Sequence, residues 1–363
     1  RPDDLLLAHS YYSSRRSGDY GVTWTRVASP DGVALAAPFL FARDHSLYAF
    51  RWSNSTGGMS VFRSTDRGAQ WQIRSVIPMP TSPLLLTESA TESDAGLLLA
   101  DYTGRMLHSS DEGRSWKTSY GDLHTVMQQS MGGGGLRKLV AMPPPMGNVV
   151  LGAVAPGGVV RSTNGGENWT AVPLGTSPMQ TCSNIVVKRD GIAFAMSDTM
   201  LYRSTDQGLQ WVPVAAVDPG SLSEHLFLDA RDDVYLYQPA RNSATEIHLL
   251  HSSDDGENWN TIALPPLPAA PDEIIGVNFD DQNRLYISTW FDGAFRLRIP
   301  LAAEDVGAVV PEVPRITDVY PQPLRAGRKS ELHVRIVLPE TAAIALQLCD
   351  IQGRVLRSLP GGR

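Results

Sequence analysis

One eight-residue pattern, Ser-x-Asp-x-Gly-x-x-Trp, recurs six times in this chain of 363 residues. The copies are Ser17/Asp19/Gly21/Trp24, Ser64/Asp66/Gly68/Trp71, Ser109/Asp111/Gly113/Trp116, Ser162/Asn164/Gly166/Trp169, Ser204/Asp206/Gly208/Trp211 and Ser252/Asp254/Gly256/Trp259. The fourth carries Asn for Asp; the others keep all four positions. Chance does not place four specified residues in register so often. A fixed period means an array of one supersecondary unit. Successive tryptophans stand 42 to 53 residues apart, the period of a blade of four short strands with turns.

Each unit reads alike. A first apolar run (Ala34–Phe41, Ile185–Val187, Ile274–Phe279) is followed by a second (Leu47–Phe50, Leu97–Ala100, Val149–Val154, Ile192–Met196, Val234–Tyr237, Leu285–Ser288). A third leads into the octet, and the fourth contains the tryptophan. The runs have ordinary strand lengths, and Gly, Asp, Asn or Pro punctuate the gaps. No stretch shows a sustained helical period, so the expected fold is all-β. The octet itself suits a hairpin turn. Its Ser and Asp side chains bond the turn backbone, its Gly accepts a positive φ, and its Trp buries a large ring between sheets.

A seventh unit follows Trp259: Leu285-Tyr286-Ile287-Ser288-Thr289 matches a second strand and Gly293-Ala294-Phe295-Arg296 a third, but Leu297 stands where the octet Ser would be. At the other end, Leu5-Leu6-Leu7-Ala8 matches Leu97-Leu98-Leu99-Ala100, so the chain enters inside a blade. The first unit therefore lacks its innermost strand and the last its outermost. The count is seven blades, with six or eight as the alternatives.

These residues resemble the Asp-box, or BNR, repeat of sialidase-like, sortilin-like and photosystem II assembly factor-like β-propellers. The resemblance covers roughly residues 5–300. It implies that the boxes sit at the outer turn between third and fourth strands, away from the axial ligand site. Asp19, Trp24, Asp66, Trp71, Asp111, Trp116, Asn164, Trp169, Asp206, Trp211, Asp254 and Trp259 are then structural. The expected organisation is a propeller over 1–300, a linker over 301–314 and a small, incomplete β-sandwich over 315–363.

In that last segment Leu332, Val334, Ile336 and Leu338 alternate with polar residues, as do Ile344, Leu346 and Leu348, giving two half-buried strands. Val355-Leu356 gives a third. Tyr320-Pro321-Gln322-Pro323, Val337-Leu338-Pro339 and Cys349-Asp350-Ile351-Gln352-Gly353-Arg354-Val355 resemble the β-sandwich sorting domain of the type IX secretion system. That family has Asn where Gln322 stands and continues for another pair of strands. The resemblance implies export by the type IX machinery, to the medium or cell surface of a Gram-negative bacterium. An ordinary immunoglobulin-like accessory domain is the alternative.

Composition narrows the partners. A net charge of −7 argues against a nucleic-acid or anionic-membrane surface. No apolar run approaches a membrane span. Two cysteines, Cys182 and Cys349, read as isolated thiols. The eight histidines are scattered without ligand spacing, and neither metal nor cofactor is expected. Gly132–Gly135 lacks the context of a phosphate loop.

No catalytic set is recognisable. Sialidase chemistry would need an arginine triad and a Phe-Arg-Ile-Pro before the first box; Phe295-Arg296-Leu297-Arg298-Ile299-Pro300 is a broken echo after the last. Arg63, Arg161 and Arg203, with His108 and His251, share one position directly before the octet Ser, which marks them as scaffold. What remains is the rim opposite the octets, carrying Trp52, Asn54, Tyr102, Asp198, Arg241, Asn242, Trp290 and Asp292. The long connection around Tyr120–Leu136 adds His124, Gln128 and Gln129. Aromatics, amides and a few charges suit a glycan or a protein ligand. The expected function is an exported, non-catalytic binding propeller; the alternative is a glycoside hydrolase acting on extracellular glycans.

Overall fold

The computed structural model describes residues 6–10, 13–18, 23–35, 39–53, 58–78, 89–118, 120–130, 134–175, 180–217, 225–239, 247–263, 274–279, 284–289, 293–297, 315–320, 333–337, 346–349 and 355–359. The chain forms two compact units, Arg1–Ile299 and Pro300–Arg363. Among the described residues the first unit holds seven antiparallel sheets in chain order.

Blade 1 contains β1 (Leu6–Ser10), β2 (Ser13–Ser17) and β3 (Thr25–Val27). Blade 2 contains β4 (Phe39–Phe41), β5 (Leu47–Ser53), β6 (Gly58–Ser64) and β7 (Gln72–Pro78). Blade 3 contains β8 (Ser89–Ser93), β9 (Gly96–Ala100) and β10 (Met106–Ser109). A helix, α1 (Leu123–Ser130), precedes blade 4, which is β11 (Gly135–Ala141), β12 (Val150–Ala155), β13 (Gly158–Ser162) and β14 (Thr170–Val172). Blade 5 is β15 (Asn184–Val187), β16 (Ala193–Met196), β17 (Met200–Ser204) and β18 (Val212–Ala216). Blade 6 is β19 (His225–Leu228), β20 (Val234–Pro239), β21 (Ile247–Ser252) and β22 (Asn260–Ala263). Blade 7 is β23 (Ile274–Phe279), β24 (Leu285–Thr289) and β25 (Gly293–Leu297). By position relative to the octets, blade 1 lacks a first strand and blade 7 a fourth among the described residues. First strands of neighbouring blades from β4 to β23 lie side by side, and β1 lies beside β24 and β25.

The core follows from strand alternation. In β5, Leu47 and Ala49 join Val27 and Leu35 on the blade 1 side, whereas Tyr48 and Phe50 join Leu97, Leu99 and Leu107 on the blade 3 side. In β12, Val150 and Val154 face blade 3 while Leu151 and Ala153 face blade 5. In β20, Val234 and Leu236 face blade 5 while Tyr235 and Tyr237 face blade 7. Period-two side chains thus bury both faces of each middle strand. Among the described residues, every hydrophobic cluster lies between two blades.

The octets form one repeated turn. Ser64 Oγ donates to Asp66 Oδ1 (2.8 Å) and accepts from Gly68 N (2.8 Å), while Asp66 Oδ1 also accepts from Gln70 N (2.9 Å). The same pattern recurs in the next four octets, with Asn164 Oδ1 replacing the carboxylate oxygen. The indole Nε1 of Trp71, Trp116, Trp169 and Trp259 donates back to the octet Gly carbonyl. Trp211 Nε1 is buried without a partner among the described residues. The octet glycines have positive φ, and so does the residue before each: Arg67, Glu112, Gly165, Gln207 and Asp255. Two consecutive left-handed residues reverse the chain inside the octet, and glycine takes the second without a Cβ penalty. Gly208 has no room for a Cβ, which would lie 2.6 Å from Leu151 of the preceding blade. Asp19 lies outside the described residues.

Where the residue before the octet Ser is arginine, it clasps the next blade. Arg16 Nη1 donates to Arg67 O (2.8 Å), Arg161 Nε to Gln207 O (2.7 Å) and Arg203 Nη1 to Asp255 O (2.8 Å). Arg63 pairs with Glu112 (3.2 Å), whose carbonyl accepts from Tyr48 and Arg74. His108 stacks on Tyr120 and bonds Ala95 O (2.8 Å). Blade 7 offers no octet, and His251 bonds Asp233 of its own blade instead (2.9 Å).

The all-β expectation holds, with one short helix among the described residues: α1 spans Leu123–Ser130. Its Leu123 and Met127, one turn apart, are fully buried between Leu98, Ala100 and Met106 of blade 3 and Leu136 and Trp169 of blade 4. Among the described residues, the strand expected around Trp116 is reduced to a single bridge, His108 to Lys117, and the helix packs against the same flank of blade 3. Ala34–Phe41 is likewise not one strand; only Phe39–Phe41 pairs with β5, and Ala34 bridges Ala28.

In the second unit, β26 (Arg315–Tyr320) pairs with β27 (His333–Val337), and β28 (Leu346–Cys349) with β29 (Val355–Leu359). The alternating pattern gave β27 and β28; β26 was not expected. The linker 301–314 lies outside the described residues.

Candidate functional site

A meander puts the turns between first and second and between third and fourth strands at one end of each blade. The turns between second and third strands, and the blade-to-blade connections, fall at the other. Five of the rim residues named from sequence are described there. Tyr102 is on the β9–β10 turn, His124, Gln128 and Gln129 are on α1, and Asp198 is on the β16–β17 turn. Trp52 lies in β5 with its backbone opposite Met59; its side chain lies outside the described residues, as do Asn54, Arg241, Asn242, Trp290 and Asp292.

The structure brings Tyr102 and His124 together. Buried Asp101 braces the β9–β10 turn, its Oδ1 accepting from Thr103 N (2.8 Å), Thr103 Oγ1 (2.7 Å) and Arg105 N (3.0 Å). His124 Nδ1 meets Thr103 O at 2.7 Å, so the histidine ties helix to turn and is not a free ligand group. Tyr102 O accepts from Leu136 N (2.8 Å). Its ring lies against Gly135, where a Cβ would come within 2.0 Å of it. The Arg137 guanidinium sits 5.3 Å from the centre of that ring, a cation–π arrangement. Tyr102 remains 38% exposed, and Gln128 and Gln129 of α1 are exposed beside His124 in sequence. Asp198 is exposed on a different blade, on a turn held by buried Ser197, whose Oγ accepts from Met200 N (3.0 Å).

Sequence reasoning missed a second group. Lys138 follows a bulge in β11 between Leu136 and Lys138. Its Nζ donates to Asn184 Oδ1 of β15 (3.0 Å), and Asn184 Nδ2 donates to Leu226 O of β19 (3.3 Å). A chain of polar contacts thus runs across the first strands of blades 4, 5 and 6. Burial holds the Lys138 ammonium down at about 8, and burial pushes the nearby Cys182 thiol up to about 12. No repeat marks these positions, so no sequence signal singled them out.

The octet carboxylates behave as acceptors. Asp111 is held at about 2 by the Ser115 hydroxyl and then its backbone N–H; Asp254 is held at about 2 by the backbone N–H of Asn258 and then its side-chain amide. For Asp66 and Asp206, burial works upward but is outweighed by backbone N–H groups, chiefly of Gln70 and Gln210, and by the octet serines. Among the described residues no group of three His, Cys, Asp or Glu is placed to hold a metal ion, and no helix is long and apolar enough to cross a membrane.

No protein-family model matches the chain, and no curated protein matches it. Solved structures do. A GH74 xyloglucanase from Xanthomonas campestris aligns at 15% identity and TM-score 0.60 over 82% of this chain and 51% of its own. The extracellular domain of a hybrid two-component system from B. thetaiotaomicron aligns at 12% and 0.55 over 82% and 37%. YCF48 bound to D1 peptide aligns at 14% and 0.51 over 82% of both chains. The chain spans about half the length of the xyloglucanase and just over a third of the two-component domain. Likeness at these identities shows the fold alone: this is a β-propeller.

Proposed function

We propose that this chain is a non-catalytic binding propeller that takes a protein or glycan ligand on the face opposite the octets. The observation that carries this reading is where the repeated charges go. Each described octet Asp is spent inside its own turn, and the arginines before the octets are spent on the next blade. The chemistry-bearing residues of the repeat are therefore mortar. The opposite face offers Tyr102, Asp198, Gln128 and Gln129 to solvent. A propeller of similar fold was solved with a peptide bound, which supports a peptide or protein ligand.

Kinship with Asp-box propellers, the division at 300 and 314, and export through a type IX sorting segment belong to the same proposal. They rest on the sequence resemblances.

The test is a pair of screens on the purified chain. Arrays of glycans and peptides are expected to yield a ligand whose binding drops on Tyr102→Ala or Asp198→Ala. Incubation with sialosides and β-glucans is expected to give no turnover. Turnover that disappears on Asp292→Asn would overturn the reading in favour of a glycoside hydrolase.

A further inference from the structure

We propose that Lys138 is an anchor for a ligand carboxylate on the axial side of blades 4 and 5, held in place by Asn184. The proposal deepens the binding reading above and rests on it.

Lysine is scarce in this chain, with only Lys117, Lys138, Lys188 and Lys329. Lys188 is half-buried too, but it bridges Asp190 and Asp255. Lys138 has no such partner among the described residues. Its one hydrogen-bond acceptor is a neutral amide, and its ionisable neighbour, Cys182, is a buried thiol that stays neutral. An ammonium taken out of water without a counter-charge is unfavourable and sheds its proton more readily, which is the direction seen for Lys138. The arrangement gains from an anion that arrives with the ligand.

Geometry supports access and holds the group. Lys138 is half-buried, so part of its surface stays open to solvent. It lies on β11, a first strand, and those strands line the propeller axis. The ammonium has three donors and Asn184 takes one. Asn184 is itself fixed, with Nδ2 on Leu226 O and Oδ1 shared with Ile185 N, so it positions Lys138 and leaves the remaining donors for a ligand. At the adjoining bulge Arg137 is exposed and also has no acid partner among the described residues. In a chain of net charge −7, two adjacent unpaired cations on one first strand form a local exception. Arg137 is exposed over the Tyr102 ring, so within the packed first strands a single ammonium is left to meet a single carboxylate.

The low lysine count makes the test direct. The full chain is labelled with 13Cε-lysine, and the Lys138 signal is assigned by its loss in Lys138→Met. The probes are acetate, an N-acetylated dipeptide with a free C-terminal carboxylate, its C-terminal amide, and glucuronate. Acetate is expected to shift the Lys138 signal saturably and to raise its pKa, leaving Lys117 and Lys188 unmoved. The free-carboxylate peptide or glucuronate is expected to do so at lower concentration, which tells a peptide source from a sugar source; the amide is expected to do nothing. In Lys138→Met, binding of the better probe should weaken roughly tenfold or more, while melting at neutral pH stays level or rises. Asn184→Asp, which supplies the carboxylate internally, should raise the Lys138 pKa and abolish the acetate response.

A Lys138 signal that titrates at the ordinary lysine value and ignores every carboxylate overturns the proposal. So does an equal response to chloride and sulfate, which would mean an adventitious ion only. If an array ligand binds Lys138→Met as tightly as the parent, this anchor fails while the binding reading stands. If acetate engages Lys138 but no array ligand exists, the anchor survives and the binding reading fails.

Discussion

At the scale of single residues, the octet shows why an aspartate was retained where no chemistry is done. Its Oδ1 takes a hydroxyl two residues back and a backbone N–H four residues on, and an ionised oxygen does this best. Asn164 shows that an amide oxygen suffices, with its contacts to Ser162 and Asn168 at 3.0 and 2.9 Å. The difference should appear in acid. Asp111 has a folded pKa of about 2 against an ordinary 3.8. A depressed carboxylate contributes stability that is fully present above its unfolded value and is lost as pH falls through its folded value. Asp111→Asn should therefore cost little at neutral pH and flatten the fall of melting temperature below about pH 4, whereas Asp111→Ala should lower melting at every pH. An acid limb unchanged in Asp111→Asn would show that the carboxylate is not held by the turn. The Ser, Asp, Gly and Trp roles were legible in sequence because each keeps its residue type. The left-handed residue before each glycine was not, because it is Arg, Glu, Gly, Gln or Asp in turn.

At the scale of elements, α1 is a helical departure from the repeat among the described residues, and its physical basis is plain. Among the described residues from Trp116 to β11, blade 3 shows one bridge, His108 to Lys117, and one further backbone bond, Tyr120 N to Met106 O, where a fourth strand would pair. The flank of Leu98, Ala100 and Met106 is buried, and Leu123 with Met127 form part of its apolar cover. Gly104 lets the helix close on the β9–β10 turn, since a Cβ there would lie 2.5 Å from Met127 Sδ and its φ is +81°. Met127→Ala should destabilise by about 2–4 kcal/mol, while Gln128→Ala should stay within about 0.5 kcal/mol; chemical denaturation of both variants checks this. Equal effects would mean that the helix is not the cover. Two turns of helix with three apolar residues give too short a pattern to stand out from loop sequence. Lys138 and Asn184 were illegible for a different reason. They come from separate blades, occupy no repeated position, and meet only because first strands converge on the axis.

At the scale of the molecule, stability resides in the junctions. Each hydrophobic cluster draws its members from two consecutive blades, so no blade has a core of its own, and the clasps from Arg16, Arg161 and Arg203 run in the same blade-to-next-blade sense. An open array of such units unfolds from its ends, because terminal units have one neighbour. A closed ring has no ends. The octet period reveals the number of units but not the closure, because the first and last units are the two that depart from the pattern. Closure rests on β1, which pairs with β2 within blade 1 and lies beside β24 and β25 of blade 7. Deleting residues 1–12 should therefore act at a distance. The melting temperature is expected to fall by roughly 5 °C or more, and hydrogen exchange should quicken in β24 and β25 as well as in β2, while β12 and β16 keep their protection. Loss of protection confined to β2 and β3 would show that the ring does not depend on this strand for its closure.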